Sequence, residues 1–212
     1  MAASLGADGM SSPDLGFDEA FRTATDFHAR GRLDEADSLY RMVLDHQPDH
    51  FGALHNLGLL MSHRGLPEEA ERLLRRALDR DPDSAEAQAN LGAVLQALDQ
   101  PEEAAARYRR AIALDPRCAT AHNNLAVLLR LQGFLTEALA HHDQAVTIRP
   151  DDAVSHTNFA VTLMAKGRWA EAVERLETAL RLQPDLATAR HNLAVARDRH
   201  AERTCAIRTN GG

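Results

Sequence analysis

Lysine is almost missing from this chain: of 24 basic residues only Lys166 is a lysine, and 31 acidic residues outweigh them for a formal charge of -7. Such a balance supplies no positive field for a phosphate backbone, so nucleic acid is not an expected partner. Cysteine is scarce as well. Cys118 and Cys205 lie far apart and belong to no ligand-spaced cluster, which argues against both a disulfide framework and a zinc site and fits a reducing cytoplasm. Aromatic residues make up only 4% of the chain, while Ala and Leu are abundant. That composition suits helices packed closely through small side chains rather than β-sheets. No stretch approaches ~20 uninterrupted apolar residues, and the opening MAASLGADGMSSPDLG has neither a basic nor an apolar leader region, so a soluble, unexported protein without membrane contact is expected.

What the chain does have is a clock. Pro48, Pro82, Pro116, Pro150 and Pro184 are each 34 residues apart. Ala36, Ala70, Ala104, Ala138 and Ala172 keep the same period, as do Gly31, Gly65, Gly133 and Gly167, with Asp99 in place of the third glycine. Each unit reads as two helices. A first amphipathic segment, such as 119–132, ends at a glycine that can adopt the left-handed conformation closing a helix. A second helix then carries Glu35, Glu69, Glu103, Glu137 or Glu171 in its first turn, a charge favoured by the helix dipole. Proline ends it, and Asp49, Asp83, Asp151 and Asp185 follow as expected N-caps of the next unit, with Arg117 the exception. Small residues (Ala24, Gly58, Gly92, Ala126 and Ala160) recur where the two helices must approach. One such hairpin cannot bury its apolar face alone, so stability is expected from stacking neighbours.

These residues resemble the tetratricopeptide repeat family, whose pattern is met in the second repeat by Leu57-Gly58, Gly65, Ala70, Leu74, Ala77 and Pro82. The resemblance covers residues 17–186. It implies an all-α fold: a right-handed α-solenoid of five 34-residue helix–turn–helix repeats (17–50, 51–84, 85–118, 119–152 and 153–186) within 13–186, plus a C-terminal capping helix at 187–203. Residues 1–12 and 204–212 are expected to be flexible. In the cap, Leu193 and Ala194 keep inward positions, while Arg190 and Arg197 give it a polar outer face. Departures from the family pattern are His142 at an aromatic position, and Gln88, His122 and His156 where the family often has Trp.

Five of the seven asparagines share one register: Asn56, Asn90, Asn124, Asn158 and Asn192. Helical spacing turns this column away from the packed stripe and sets beside it Leu59, Ala93, Val127, Val161 and Val195. A carboxamide offers one acceptor and two donors, which matches the backbone of an extended peptide. The column resembles that of the repeat domain of O-linked N-acetylglucosamine transferase, a likeness that implies capture of a bound polypeptide by these residues. Asn56, Asn90, Asn124, Asn158, Asn192, Val127, Val161 and Arg130 are therefore the candidate peptide-binding residues. A purely structural role, bridging adjacent repeats, stands as the alternative for the asparagines. Recognition of acidic chaperone tails is disfavoured, because the positions that would carry its lysines are Phe21 and Thr25.

Eleven histidines invite a metal or catalytic reading, but His141 and His142 are adjacent on a helix and diverge by about 100°. His55, His122, His156 and His191 read more simply as neutral packing or groove residues. No phosphate-binding loop, HExxH or GxSxG occurs, and paired glutamates at 68–69 and 102–103 are helix-start charges. The expectation is a non-catalytic adaptor without metal or cofactor, monomeric, binding a protein or peptide. Two alternatives remain open: a substrate-targeting subunit of a separately encoded enzyme such as a glycosyltransferase, for whose catalytic domain the chain leaves no room, and a self-assembling scaffold.

Overall fold

The computed structural model describes residues 16–209, with side chains described to residue 203. The stretch 1–12, expected to be flexible, lies outside the described residues, as do residues 210–212 and the side chain of Cys205. All described regular structure is helical, with no strand among the described residues. The chain divides into two compact units, one ending at Arg80 and the other beginning at Asp81.

The first unit contains α1 (Phe17–Ala29), α2 (Leu33–His46), α3 (Phe51–His63) and α4 (Pro67–Arg80). Here α1 pairs with α2, α3 pairs with α4, and α2 packs on α3. In the second unit, α5 (Ala85–Ala97) pairs with α6 (Pro101–Leu114), α7 (Ala119–Leu131) with α8 (Leu135–Ile148), and α9 (Ala153–Ala165) with α10 (Trp169–Leu182). The long α11 (Ala187–Thr209) packs on α10. Within this unit the first helices of successive hairpins also touch, α5 with α7, α7 with α9 and α9 with α11.

The periodic small residues explain the tight pairing. Ala36, Ala70, Ala104, Ala138 and Ala172 are all fully buried. An added Cβ at Gly58 would lie 2.9 Å from Leu74 Cγ, and one at Gly92 would lie 2.7 Å from Tyr108 Cε1. The turns close as the glycines require: Gly133 has φ 85°, and Phe134 N donates to Leu129 O at 2.8 Å to cap α7. Asp99 adopts the same left-handed conformation at φ 57°. Aspartate tolerates it better than most residues.

Three local expectations need correction. The N-caps fall one residue later than the post-proline aspartates, on His50, Ser84 and Asp152, whose side chains accept from Ala53 N, Ala87 N and Val154 N. The reason is that Pro and Asp together form the turn, so the next residue is the first with a cap's backbone; Asp83 accepts instead from Arg110 at 2.6 Å. Secondly, α11 runs to Thr209 rather than ending at 203. Residues 198–209 hold Ala, Arg and Glu with no Gly or Pro, so nothing stops the helix. Thirdly, Ala194 is exposed, although Leu193 beside it is buried. Position 194 is the counterpart of Ala160, which is buried against a second helix, and α11 is the last helix described.

Candidate functional site

In repeats two to five the ladder asparagine follows two buried residues and precedes the buried stripe, whereas Asn192 on α11 follows exposed Arg190 and His191. Asn56, Asn90, Asn124, Asn158 and Asn192 are each half-buried: neither fully open nor sealed in the core. Leu57, Leu91, Leu125 and Phe159, immediately after four of them, are buried. Val127, Val161 and Arg130 are half-buried too. On α7 the spacing 124, 127, 130 puts Asn124, Val127 and Arg130 along one face of the helix.

In the second unit two of the carboxamides, those of Asn124 and Asn158, are linked through a residue absent from the candidate set. Asn123, 8% exposed, donates from Nδ2 to Asn124 Oδ1 at 3.1 Å and accepts on Oδ1 from Asn158 Nδ2 at 3.3 Å. The sequence signal was the doublet Asn123-Asn124, which occurs in no other repeat. Near Asn124 the Tyr108 hydroxyl donates to Gln96 Oε1 at 3.3 Å; burial pushes the Tyr108 phenol up to about 12, and Asn124 lies near enough to temper that rise. In the first unit Tyr40 occupies the same register as Tyr108. Its hydroxyl is buried without a hydrogen bond of good geometry, although Thr25 and Asn56 lie near enough to moderate the rise that burial imposes on its pKa.

The family's frequent Trp position acquires a different task here. Gln88 Nε2 donates to the carbonyl of Pro82 at 3.0 Å, His122 Nε2 to that of Pro116 at 3.2 Å, and His156 Nε2 to that of Pro150 at 3.0 Å. Each reaches back six residues, to the proline that marks the end of the preceding repeat's second helix. Because a carbonyl only accepts, the proton of His122 sits on Nε2, and its Nδ1 accepts from His141 Nδ1 at 2.9 Å. Burial lowers the pKa of both His141 and His156, which keeps them neutral, and His122 adds to the shift at His141.

His142 behaves otherwise. It is fully buried, stacks on Phe159 with centroids 5.8 Å apart, and neither ring nitrogen has a hydrogen-bond partner among the described residues. Burial, then the charge of Arg130, lowers its pKa from 6.5 to about 3. On Phe159 also lies the guanidinium of Arg175, 4.7 Å from the ring centre. Arg130 Nε is buried and has no hydrogen-bond partner among the described residues.

A separate depression of about 630 Å³ opens among α2, α3 and α4, with Arg41, Arg72, Arg75 and Arg76 on its walls and Leu57 and Leu73 on its floor. Its arginines are largely spoken for. Arg41 meets Asp37 and Glu69 at 2.6 and 3.1 Å, Arg75 meets Glu71 at 2.8 Å, and Arg76 donates to Pro48 O at 2.6 Å. Among the described residues no group of three or more His, Cys, Asp or Glu side chains is gathered to hold a metal ion. No described helix is long and apolar enough to cross a membrane.

A family model described as tetratricopeptide repeat matches residues 53–117 and 117–185. No curated protein matches the chain. Among solved structures, MamA is 27% identical with a TM-score of 0.63, covering 77% of this chain and 96% of its own. A thermophilic TPR protein of Thermus thermophilus is 23% identical with a TM-score of 0.71, covering 85% of this chain and 98% of its own. YrrB, described as a TPR protein with an unusual peptide-binding site, is 24% identical with a TM-score of 0.62, over 84% of this chain and 92% of its own. The last two likenesses concern the fold.

Proposed function

The chain belongs to the tetratricopeptide repeat family, and from that premise we propose that it is a non-catalytic adaptor, monomeric, that holds an extended segment of a partner protein through the carboxamides of its first helices. One observation carries this reading: the ladder asparagines sit half-buried at the margin of the core, neither sealed in it nor fully open. Asn124, whose Oδ1 accepts from Asn123, presents a carboxamide that is already oriented. Preorganisation of this kind lowers the entropy cost of gripping a flexible chain. Val127 and Val161 supply short apolar surface beside it, and backbone capture asks little of the ligand's sequence.

The bonds running Asn158–Asn123–Asn124 favour a second reading, in which the column bridges α7 and α9 and binds nothing. The double variant Asn124→Ala/Asn158→Ala separates the two. An adaptor loses affinity for an arrayed set of extended peptides while its urea midpoint moves little. A bridge loses stability, and any peptide binding by the wild-type protein survives in the variant. Unchanged peptide affinity removes the ladder from the mechanism.

A further inference from the structure

The two adjacent histidines of α8 meet different neighbours, and each does so through an uncharged ring. His141 turns toward α7, where its Nδ1 lies 2.9 Å from Nδ1 of His122. His142 turns toward α9 and stacks on Phe159, fully buried, with no hydrogen bond at either ring nitrogen among the described residues. The other hairpins are built differently at both places. The counterparts of His122 and His141 are apolar in repeats one and two, Gln88 and Arg107 in repeat three, and His156 and Arg175 in repeat five. Where α8 has His142, the other second helices bury Tyr40, Leu74, Tyr108 or Leu176. Repeat four alone sets two imidazoles against each other and a third in the middle of its core.

Protons decide whether these contacts persist. One proton between the facing nitrogens of His122 and His141 makes a bond, and His122 keeps another on Nε2, which donates to Pro116 O at 3.2 Å. A single added proton can still be shared, because an imidazolium donates to an imidazole. A second puts an N–H on each facing nitrogen and sets two like charges together. His142 has no acceptor for a charged ring at all. The charges nearby oppose protonation: Arg109 of α6 and His122 of α7 act on His141, Arg130 of α7 acts on His142, and Arg175 of α10 lies over the Phe159 ring. Phe159, the α9 side chain stacked on His142, is uncharged, and Glu137 on α8 itself favours a proton at His141. Burial first, then these neighbours, lowers the pKa of both His141 and His142, the latter to about 3. The packed form therefore binds fewer protons than an opened one, and its advantage, full above the ordinary histidine value, is lost as pH falls below 6.5.

We propose that α8 is an acid-released element of the solenoid: in mild acid it parts from α7 and α9, taking up at least one proton at the His122–His141 pair and one at His142, while α5 and α6 stay folded. Local opening of this kind is expected where a helix is held by few strong contacts. Asn123 and Asn124 follow His122 on α7, so the link from Asn124 to Asn158 loses its support at the same moment. The device operates whether or not the asparagine column binds a peptide.

Hydrogen exchange of the full chain, read by mass spectrometry and corrected for the intrinsic rate at each pH, measures the opening of each helix. A proton taken up by an ordinary imidazole multiplies the opening constant about twentyfold between about pH 7 and about pH 5, so two give several hundredfold for wild-type α8. The double variant His122→Gln/His141→Arg installs the pair of repeat three, where Arg107 donates to Gln88 Oε1 at 3.4 Å and Gln88 still reaches the Pro82 carbonyl. It should leave a change of about twentyfold, and adding His142→Leu should leave α8 nearly indifferent to pH. The proposal fails if wild-type α8 opens no more readily in acid, if α5 and α6 lose protection by the same factor, or if the double variant responds as strongly as wild type. Should the variants not fold, the ring nitrogen NMR resonances of wild-type His142 decide. A cationic His142 while the α8 amides remain protected overturns the proposal; protonation only as that protection is lost supports it.

Discussion

Replacing His142 by leucine should make the protein more stable, and by an amount that depends on pH. Leu74 and Leu176 hold the same register with no exposure, so the position accepts a leucine without rearrangement. At neutral pH the gain comes from removing buried ring nitrogens that lack partners, worth about 1–3 kcal/mol for a neutral group. Below the ordinary histidine value a second effect adds. With its folded pKa at about 3 against 6.5, His142 binds fewer protons folded than unfolded throughout that window. The wild-type protein therefore loses stability as pH falls from 6.5 toward 3, by up to about 1.4 kcal/mol per pH unit, and the variant is spared that loss. Between about pH 7.5 and 4.5 the gap between the two proteins should widen by about 3 kcal/mol. Urea unfolding followed by circular dichroism at both pH values measures it, each protein serving as its own reference for the titration of other groups. A variant less stable than wild type at neutral pH, or a gap that does not change with pH, refutes the account of a neutral, unsatisfied histidine.

Two further outcomes bear on the turns and on the joints between hairpins. Asp99→Gly relieves a left-handed residue and should raise stability by about 0.5–1 kcal/mol, whereas Gly133→Ala, imposed on φ 85°, should lower it by about 1 kcal/mol; a thermal scan showing the two shifts with the same sign would contradict the turn geometry. Gln88→Leu deletes the bond to the Pro82 carbonyl and should cost about 1–2 kcal/mol in urea titration; no loss would mean that water serves that carbonyl equally well.

Much of the fold could be read from spacing because it is a matter of period. Pro48 to Pro184, the alanines from 36 to 172 and the four glycines define where helices stop and where they touch, and the helices begin and end accordingly. The N-caps expected from spacing fall one residue early because proline and aspartate share a turn instead of taking separate tasks. The candidate face was legible in part. Asn124, Val127 and Arg130 fall on one face of α7, as their spacing requires, but periodicity says nothing of what lies across from a residue. That Asn123 links Asn124 to Asn158, and that Arg130 Nε and the ring nitrogens of His142 find no hydrogen-bond partner among the described residues, are facts about neighbours on other helices. The donors at 88, 122 and 156 were visible as a series, and only their distance from Pro82, Pro116 and Pro150 reveals what they do.

Those backward-reaching donors have a mechanical consequence. Within the second unit, the hairpins that begin with α7 and α9 are each latched to their predecessor by a side chain that turns toward a carbonyl just upstream, so a latch can open without disturbing the one before it. Peeling should then advance from the carboxyl-terminal end one hairpin at a time, and a pulling experiment on this unit would register a staircase of similar steps rather than a single rupture.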